Sequence, residues 1–238
     1  VLGPRLGRFG RNGQVHYLAG HNLPLVALGG FVLWLAWFGF NAASTVKADV
    51  GIGRIALNTH LAACASAVAY MVYTLIRGKA ILVRGTINAS LGGLVAIMAG
   101  CATMSPVYAI ISGAVAGVLV SILPVVMEKL RLDDVVDAVT VHGFCGAWGT
   151  LAAGLFFENQ MFNAGIIAVQ GLGIVTAFAW GFGVALIVFK VLDLVLGGLR
   201  VSKQHEQRGL DYTEHAELSY PEFQRDVTFE TDDMTKRH

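Results

Sequence analysis

Apolar residues in this chain fall into six long blocks, separated by short polar or charged breaks. The blocks run Leu23–Ala43, Ile55–Ile76, Thr86–Thr103, Val107–Met127, Val135–Phe157 and Gly165–Leu199. A bilayer core of about 30 Å is crossed by about 20 residues of apolar helix, so each block reads as a membrane span. The last is long enough that it must tilt or run beyond the membrane. Only Met104-Ser105-Pro106 parts the third block from the fourth. Asn22 is placed to cap the first helix, Pro24 fits its first turn, and Gly197-Gly198 closes the last block. The predicted fold class is all-α, a polytopic membrane helix bundle over residues 1–199. From Arg200 the composition turns to mixed charge, with Tyr212, Tyr220, Pro221 and Phe223, and residues 200–238 read as a solvated tail or a partner-binding one. No short-period repeat is visible.

Composition supports spans rather than a large soluble core. Charged residues make up 14% of the 238 positions, against about 25% in soluble domains. A net charge of +1 with no basic stripe argues against a nucleic-acid partner. Cys64, Cys101 and Cys145 sit in different apolar blocks, with neither metal-ligand nor disulfide spacing, and read as small buried hydrophobes. No cofactor is implied. Basic residues alternate by side. Arg5, Arg8 and Arg11 precede the first block, Arg77, Lys79 and Arg84 follow the second, Lys129 and Arg131 the fourth, and Arg200, Lys203 and Arg208 the sixth. The other breaks hold only Lys47 and Arg54. This pattern predicts both ends on the cytoplasmic side of the cell membrane. The chain opens Val1-Leu2-Gly3, without an initiator methionine, and reads as the later part of a longer protein.

Ionisable groups inside spans are costly, so each is a functional candidate. On an α-helical period Asp134, Ala138, His142, Cys145, Gly149 and Ala153 share one face, a stripe of small residues with His142 projecting from it. Three readings of His142 stand: a hydrogen bond that ties neighbouring helices, a metal site shared with Cys145, or a pore or proton-relay histidine. A neutral imidazole offers one donor and one acceptor, which suits the third. The first block ends in Trp34, Trp37, Phe38, Phe40, Asn41 and Ser44. These residues suit an interfacial aromatic belt or a vestibule where ring faces meet a cation, with Phe40 as a constriction. His60 reads as structural, and Lys190 and Asp193 as a pair or as snorkelling groups.

The motifs His21-Asn22-Leu23-Pro24, Trp37-Phe38-Gly39-Phe40-Asn41-Ala42-Ala43-Ser44, Asp133-Asp134 with Asp137 and Val141-His142-Gly143, and Gly197-Gly198-Leu199-Arg200 with Arg208-Gly209-Leu210-Asp211 and His215-Ala216-Glu217 occur in order. Together they resemble the ammonium transporter (Amt/Mep/Rh) family, of the Amt type, to about residue 220. The resemblance implies eleven spans built from two inverted five-helix repeats and a long final helix, assembled as a homotrimer with one pore per subunit. This chain then matches the sixth to eleventh spans. By the same resemblance His142 is the second of twin pore histidines, Phe40 an outer gate and Trp37 a conduit residue. Ser44 and Asn41 lie at the substrate vestibule, and Asp134 and Asp137 are structural groups near the pore, Asp134 holding helix-end backbone. Gly209, Leu210 and Asp211 belong to a tail that responds to PII-type signal proteins. Departures are Ala43 and Ala216, where the family usually has glycine, and Arg208, where an acidic residue is common.

The implied function is ammonium conduction, as ammonia with or without a separately relayed proton, by a protein that is not an enzyme. Substrate and membrane lipids are the expected partners. A rival is a sensor that binds ammonium and signals through its tail. Another is a membrane redox enzyme with His142 as ligand, which needs a second histidine at similar depth.

Overall fold

The computed structural model describes residues 1–221. Its helices are α1 (Leu23–Ala43), α2 (Gly51–Ile76), α3 (Val83–Ile97), α4 (Pro106–Lys129), a π-helical turn (Val139–Phe144) running into α5 (Cys145–Leu155), α6 (Ala164–Val195), α7 (Lys203–Arg208) and α8 (Leu210–His215). Residues 3–190 form one compact unit, and the stretch from Val191 onward forms a second. Four helices, α1, α2, α4 and α6, are long and apolar enough to cross a membrane.

Local chemistry sets several helix ends. The Asn22 side chain accepts from the Leu25 N–H at 2.9 Å, with Pro24 in the first turn. Asp49 does the same for Gly51 at 2.7 Å. The third and fifth predicted spans are shorter than the sequence suggests. α3 ends at Ile97 rather than Thr103, because the chain folds into turns in which the Met104 side chain packs over Gly100. The fifth begins at Val139 rather than Val135, because Asp137 takes a positive φ of 58°, which an α-helix does not accommodate.

Non-helical backbone within a bundle must find partners. Here Asn58 donates to the carbonyls of Cys101 and Met104, both at 2.9 Å. Arg54 also donates to the Met104 carbonyl, and the Glu158 N–H reaches Thr103 at 3.0 Å.

The core is built on close backbone approach. A Cβ on Gly113 of α4 or on Gly93 of α3 would overlap the carbonyl of Ala62, and one on Gly117 would overlap that of Ser66. Gly149 of α5 stands in the same relation to Ala96 of α3. Polar ties follow the contacts: Ser66 Oγ donates to the Ala89 carbonyl at 2.5 Å, and Trp148 Nε1 to the Ser112 carbonyl at 3.0 Å.

α6 has no buried residue. Its 32 residues correspond to roughly 48 Å at 1.5 Å each, so it outreaches a bilayer core. It stops before Gly197 (φ 69°) and Gly198 (φ 124°). Asp193, expected to pair with Lys190 or to snorkel, accepts from the Leu199 N–H at 3.0 Å.

Helix propensity alone favours Gly113→Ala by about 1 kcal/mol, but the overlap with Ala62 opposes it. Overpacking costs about 1–3 kcal/mol, and the obstacle is backbone that has no rotamer to yield. Gly113→Ala in the full-length protein is expected to lower the thermal midpoint in detergent; an unchanged or higher midpoint refutes the close-contact account.

Candidate functional site

The segment leading to His142 is held by three carboxylates in succession. Asp133 takes a two-oxygen clasp from Arg5, Nε at 2.7 Å and Nη2 at 2.8 Å, and also accepts from the Arg5 backbone N–H at 3.0 Å. The Arg5 hydrogen bonds hold the Asp133 carboxyl below the usual carboxylate range, although partial burial works against them. Asp134 accepts from the N–H groups of Ala138 and Val139, both at 2.8 Å, and more loosely from Thr140 at 3.4 Å. These are the free donors that every helix start must satisfy. Asp137 is buried, 8% exposed, and accepts from Asn88 Nδ2 at 2.8 Å, with Arg84 at 3.6 Å. Arg84 lies in turn over the Tyr17 ring at 5.5 Å.

Beyond this anchor the helix starts as a π-turn, a form that occurs disproportionately at functional sites. Hydrogen bonds that close on the fifth residue widen the turn, so three residues no longer return a side chain to the same face. The expected shared stripe of His142 and Cys145 is therefore not formed. Cys145 is fully buried together with Val141, Gly149 and Ala152, whereas His142 is exposed. The metal reading loses its geometry with the stripe, and among the described residues no three His, Cys, Asp or Glu side chains cluster. Val139-Thr140-Val141 followed by Gly143 has weak α-propensity, the one local hint of an irregular turn.

His142 instead shares an outer face with Gly146 and Thr150. These three, with Val95 of α3 and Met98 and Ala99 just beyond its end, line an open groove of about 490 Å³. The His142 imidazole makes no hydrogen bond to a described residue, so among these residues the helix-tying bond is not formed. The apolar cluster containing Val95, Val141 and Cys145 also carries Trp37 on its flank. The Trp37 Nε1 donor is buried without a hydrogen-bond partner among the described residues. Phe40 lies 5.6 Å from Trp37, ring to ring, and is 56% exposed. Ser44, one turn on, is exposed and donates to the Phe40 carbonyl.

Asn41 is turned inward, 5% exposed, and donates to Thr59 Oγ1 at 2.9 Å, which joins α1 to α2. It does not share the surface of Phe40 and Ser44. His60 sits apart from His142, between Trp34 (5.6 Å) and Phe38 (6.0 Å), with its Nε2 3.5 Å from Cys64 Sγ. The roles of Arg5, Arg84 and Asn88, and the groove walls Val95, Met98 and Ala99, are missed from sequence. Each depends on contacts between residues far apart in the chain.

In the tail, Gly209 (φ 102°) separates α7 from α8. The Ser219 N–H donates to Asp211 at 3.2 Å and holds that carboxyl low. Arg208 stacks over Tyr212 at 4.3 Å. Ala216 ends α8 in the left-handed region, φ 55°, a conformation that glycine adopts without the Cβ penalty. Phe223 lies outside the described residues.

A model of the Ammonium Transporter Family matches residues 1–220. The chain belongs to the ammonium transporter family. Ammonium transporter Amt2 of Archaeoglobus fulgidus is 40% identical over 239 residues, covering 94% of this chain and 51% of the relative. A solved structure titled Sensor Amt Protein superposes with a TM-score of 0.84 at 36% identity, over 89% of this chain and 54% of that one. Mep2 of Saccharomyces cerevisiae gives 0.70 at 24% identity, over 77% and 45%, a likeness of fold alone. The chain spans about half the length of the curated relatives it matches. Family membership and the long apolar helices make it part of a multi-pass membrane protein.

Two outcomes test the anchor. Asp134→Ala removes an acceptor for two strongly held N–H groups and is expected to cost about 1–2 kcal/mol. Hydrogen exchange at residues 138–140 should rise; unchanged protection refutes the capping role. Asp133 has a depressed folded pKa, so its stabilisation is complete above about pH 4 and is lost as pH falls through the lower folded value. Exchange in residues 3–10 should therefore increase on acidification, and Asp133→Asn should show that increase already at neutral pH.

Proposed function

We propose that the full protein conducts ammonium across the cell membrane and that this chain supplies one wall of the conduit. The observation that carries the reading is the exposed His142 imidazole, without a hydrogen-bond partner among the described residues, in an open groove with apolar walls. A charged ammonium ion entering such surroundings loses its hydration at large cost, so the conduit favours ammonia. A neutral imidazole can hydrogen-bond ammonia or pass the proton separately. Phe40, Trp37 and Ser44 would form the outer mouth, where ring faces attract the cation and a hydroxyl oxygen accepts from it. Asn41 would act there indirectly, by holding α1 against α2. The facing wall, with the first of the twin histidines, comes from the rest of the polypeptide.

The same reading includes a homotrimer, both ends of this chain on the cytoplasmic side, and a tail in which Gly209, Leu210 and Asp211 shape the surface met by a PII-type protein. Arg5, Arg8, Arg77, Arg84, Lys129 and Arg131 support the orientation by the positive-inside rule. A second reading, an ammonium-binding sensor, is favoured by the likeness to the Sensor Amt Protein. It shares the site and differs in the output.

His142→Ala in the full-length protein, reconstituted in vesicles, is expected to cut methylammonium uptake or ammonium-driven current by about tenfold or more, as loss of a proton-handling group does. Equal flux with equal selectivity would exclude a pore role for His142. A wild-type protein that binds ammonium but carries no flux would decide for the sensor.

A further inference from the structure

We propose that a hollow at one end of the bundle binds the phosphate headgroup of an anionic membrane phospholipid. The hollow, about 340 Å³, lies between the C-terminal ends of α2 and α4 and the start of α3. Arg77, Lys79, Arg84 and Lys129 line it, against the single carboxylate of Asp137. Arg84 is already engaged, 3.6 Å from Asp137 and stacked on Tyr17. Arg77, Lys79 and Lys129 have no acidic partner among the described residues.

A cation at a helix C-terminus complements the helix dipole wherever its side chain points. That accounts for Arg77 and Lys129 singly. It does not account for three unpaired cations on the rim of one cavity, with Lys79 outside either helix. An anion of one or two charges balances them, and a phosphate offers oxygens to several donors at once.

The apolar surroundings select the lipid over a free anion. The hollow's wall includes Val125 and Val126, 42% and 37% exposed, and next to Arg77 stand Leu75 and Ile76, 61% and 78% exposed. A headgroup among the cations would leave its acyl chains along these faces, whereas inorganic phosphate would leave them bare. Basic pockets between membrane helices hold anionic headgroups in this way. The inference rests on the membrane placement of the chain and not on the proposed conduction.

The test uses the full-length protein in detergent, titrated with phosphatidylglycerol or phosphatidylcholine and read by native mass spectrometry. Wild type should prefer phosphatidylglycerol. Each neutralised cation should weaken that lipid roughly fivefold, and Arg77→Gln/Lys79→Gln/Lys129→Gln together on the order of a hundredfold. Phosphatidylcholine binding should not change. Lys79→Arg/Lys129→Arg, which keeps the charge, should retain the preference, and an unchanged lipid-free melting temperature in the triple variant shows that the fold survives. Equal binding of the two lipids by wild type, or full phosphatidylglycerol affinity in the triple variant, overturns the site. Inorganic phosphate that competes at equal concentration overturns the lipid assignment in favour of a soluble anion.

Discussion

Everything in the bundle depends on the meeting of backbones at Ala62. Its carbonyl is approached from one side by Gly93 of α3 and from another by Gly113 of α4, with no side chain between. In lipid there is little hydrophobic gain in pressing two apolar helices together, so dense packing between small residues supplies the association. The second contact, Gly149 against Ala96, carries this arrangement from α3 to α5 and so to the helix that bears His142. The groove floor is thus fixed by glycine contacts, and Gly93 and Gly113 are distant in sequence from the histidine.

Much of this frame is legible in the sequence, because membrane spans leave a one-dimensional signal. The limits of α1 can be read directly, since Asn22 and Pro24 act on their own neighbours. The start of α4 at Pro106 is legible for the same reason. The fifth span is legible only as an apolar block. Its true start depends on Asp137, whose positive φ is supported by Asn88 and Arg84 from another helix. Its phase depends on a π-turn that a fixed helical period cannot represent. A face read on a fixed helical period therefore groups His142 with Cys145, whereas the structure buries Cys145 and leaves His142 exposed.

Asn41 shows the converse difficulty. It stands inside the aromatic motif between Phe40 and Ser44, and a motif does not say which way each member points. Its amide goes to Thr59, eighteen residues later, so the residue holds α1 against α2 instead of facing the surface of Phe40 and Ser44. The cations around the α2–α4 hollow raise a similar problem: sequence assigns them to a side of the membrane, and only the fold shows that they converge.

The glycine contacts also set how each helix is held. Two backbones in direct contact have no side-chain torsions between them to absorb a displacement, and α2, α3, α4 and α5 are joined by contacts of this kind. α1 is held differently, by side-chain contacts such as Trp37 on the apolar cluster and by the polar tie from Asn41 to Thr59. Within this chain, side chains tie the helix bearing Trp37 and Phe40 to its neighbours, and backbone contact ties the helix bearing His142. In the proposed conduit the mouth and the histidine are thus held by contacts of different kinds.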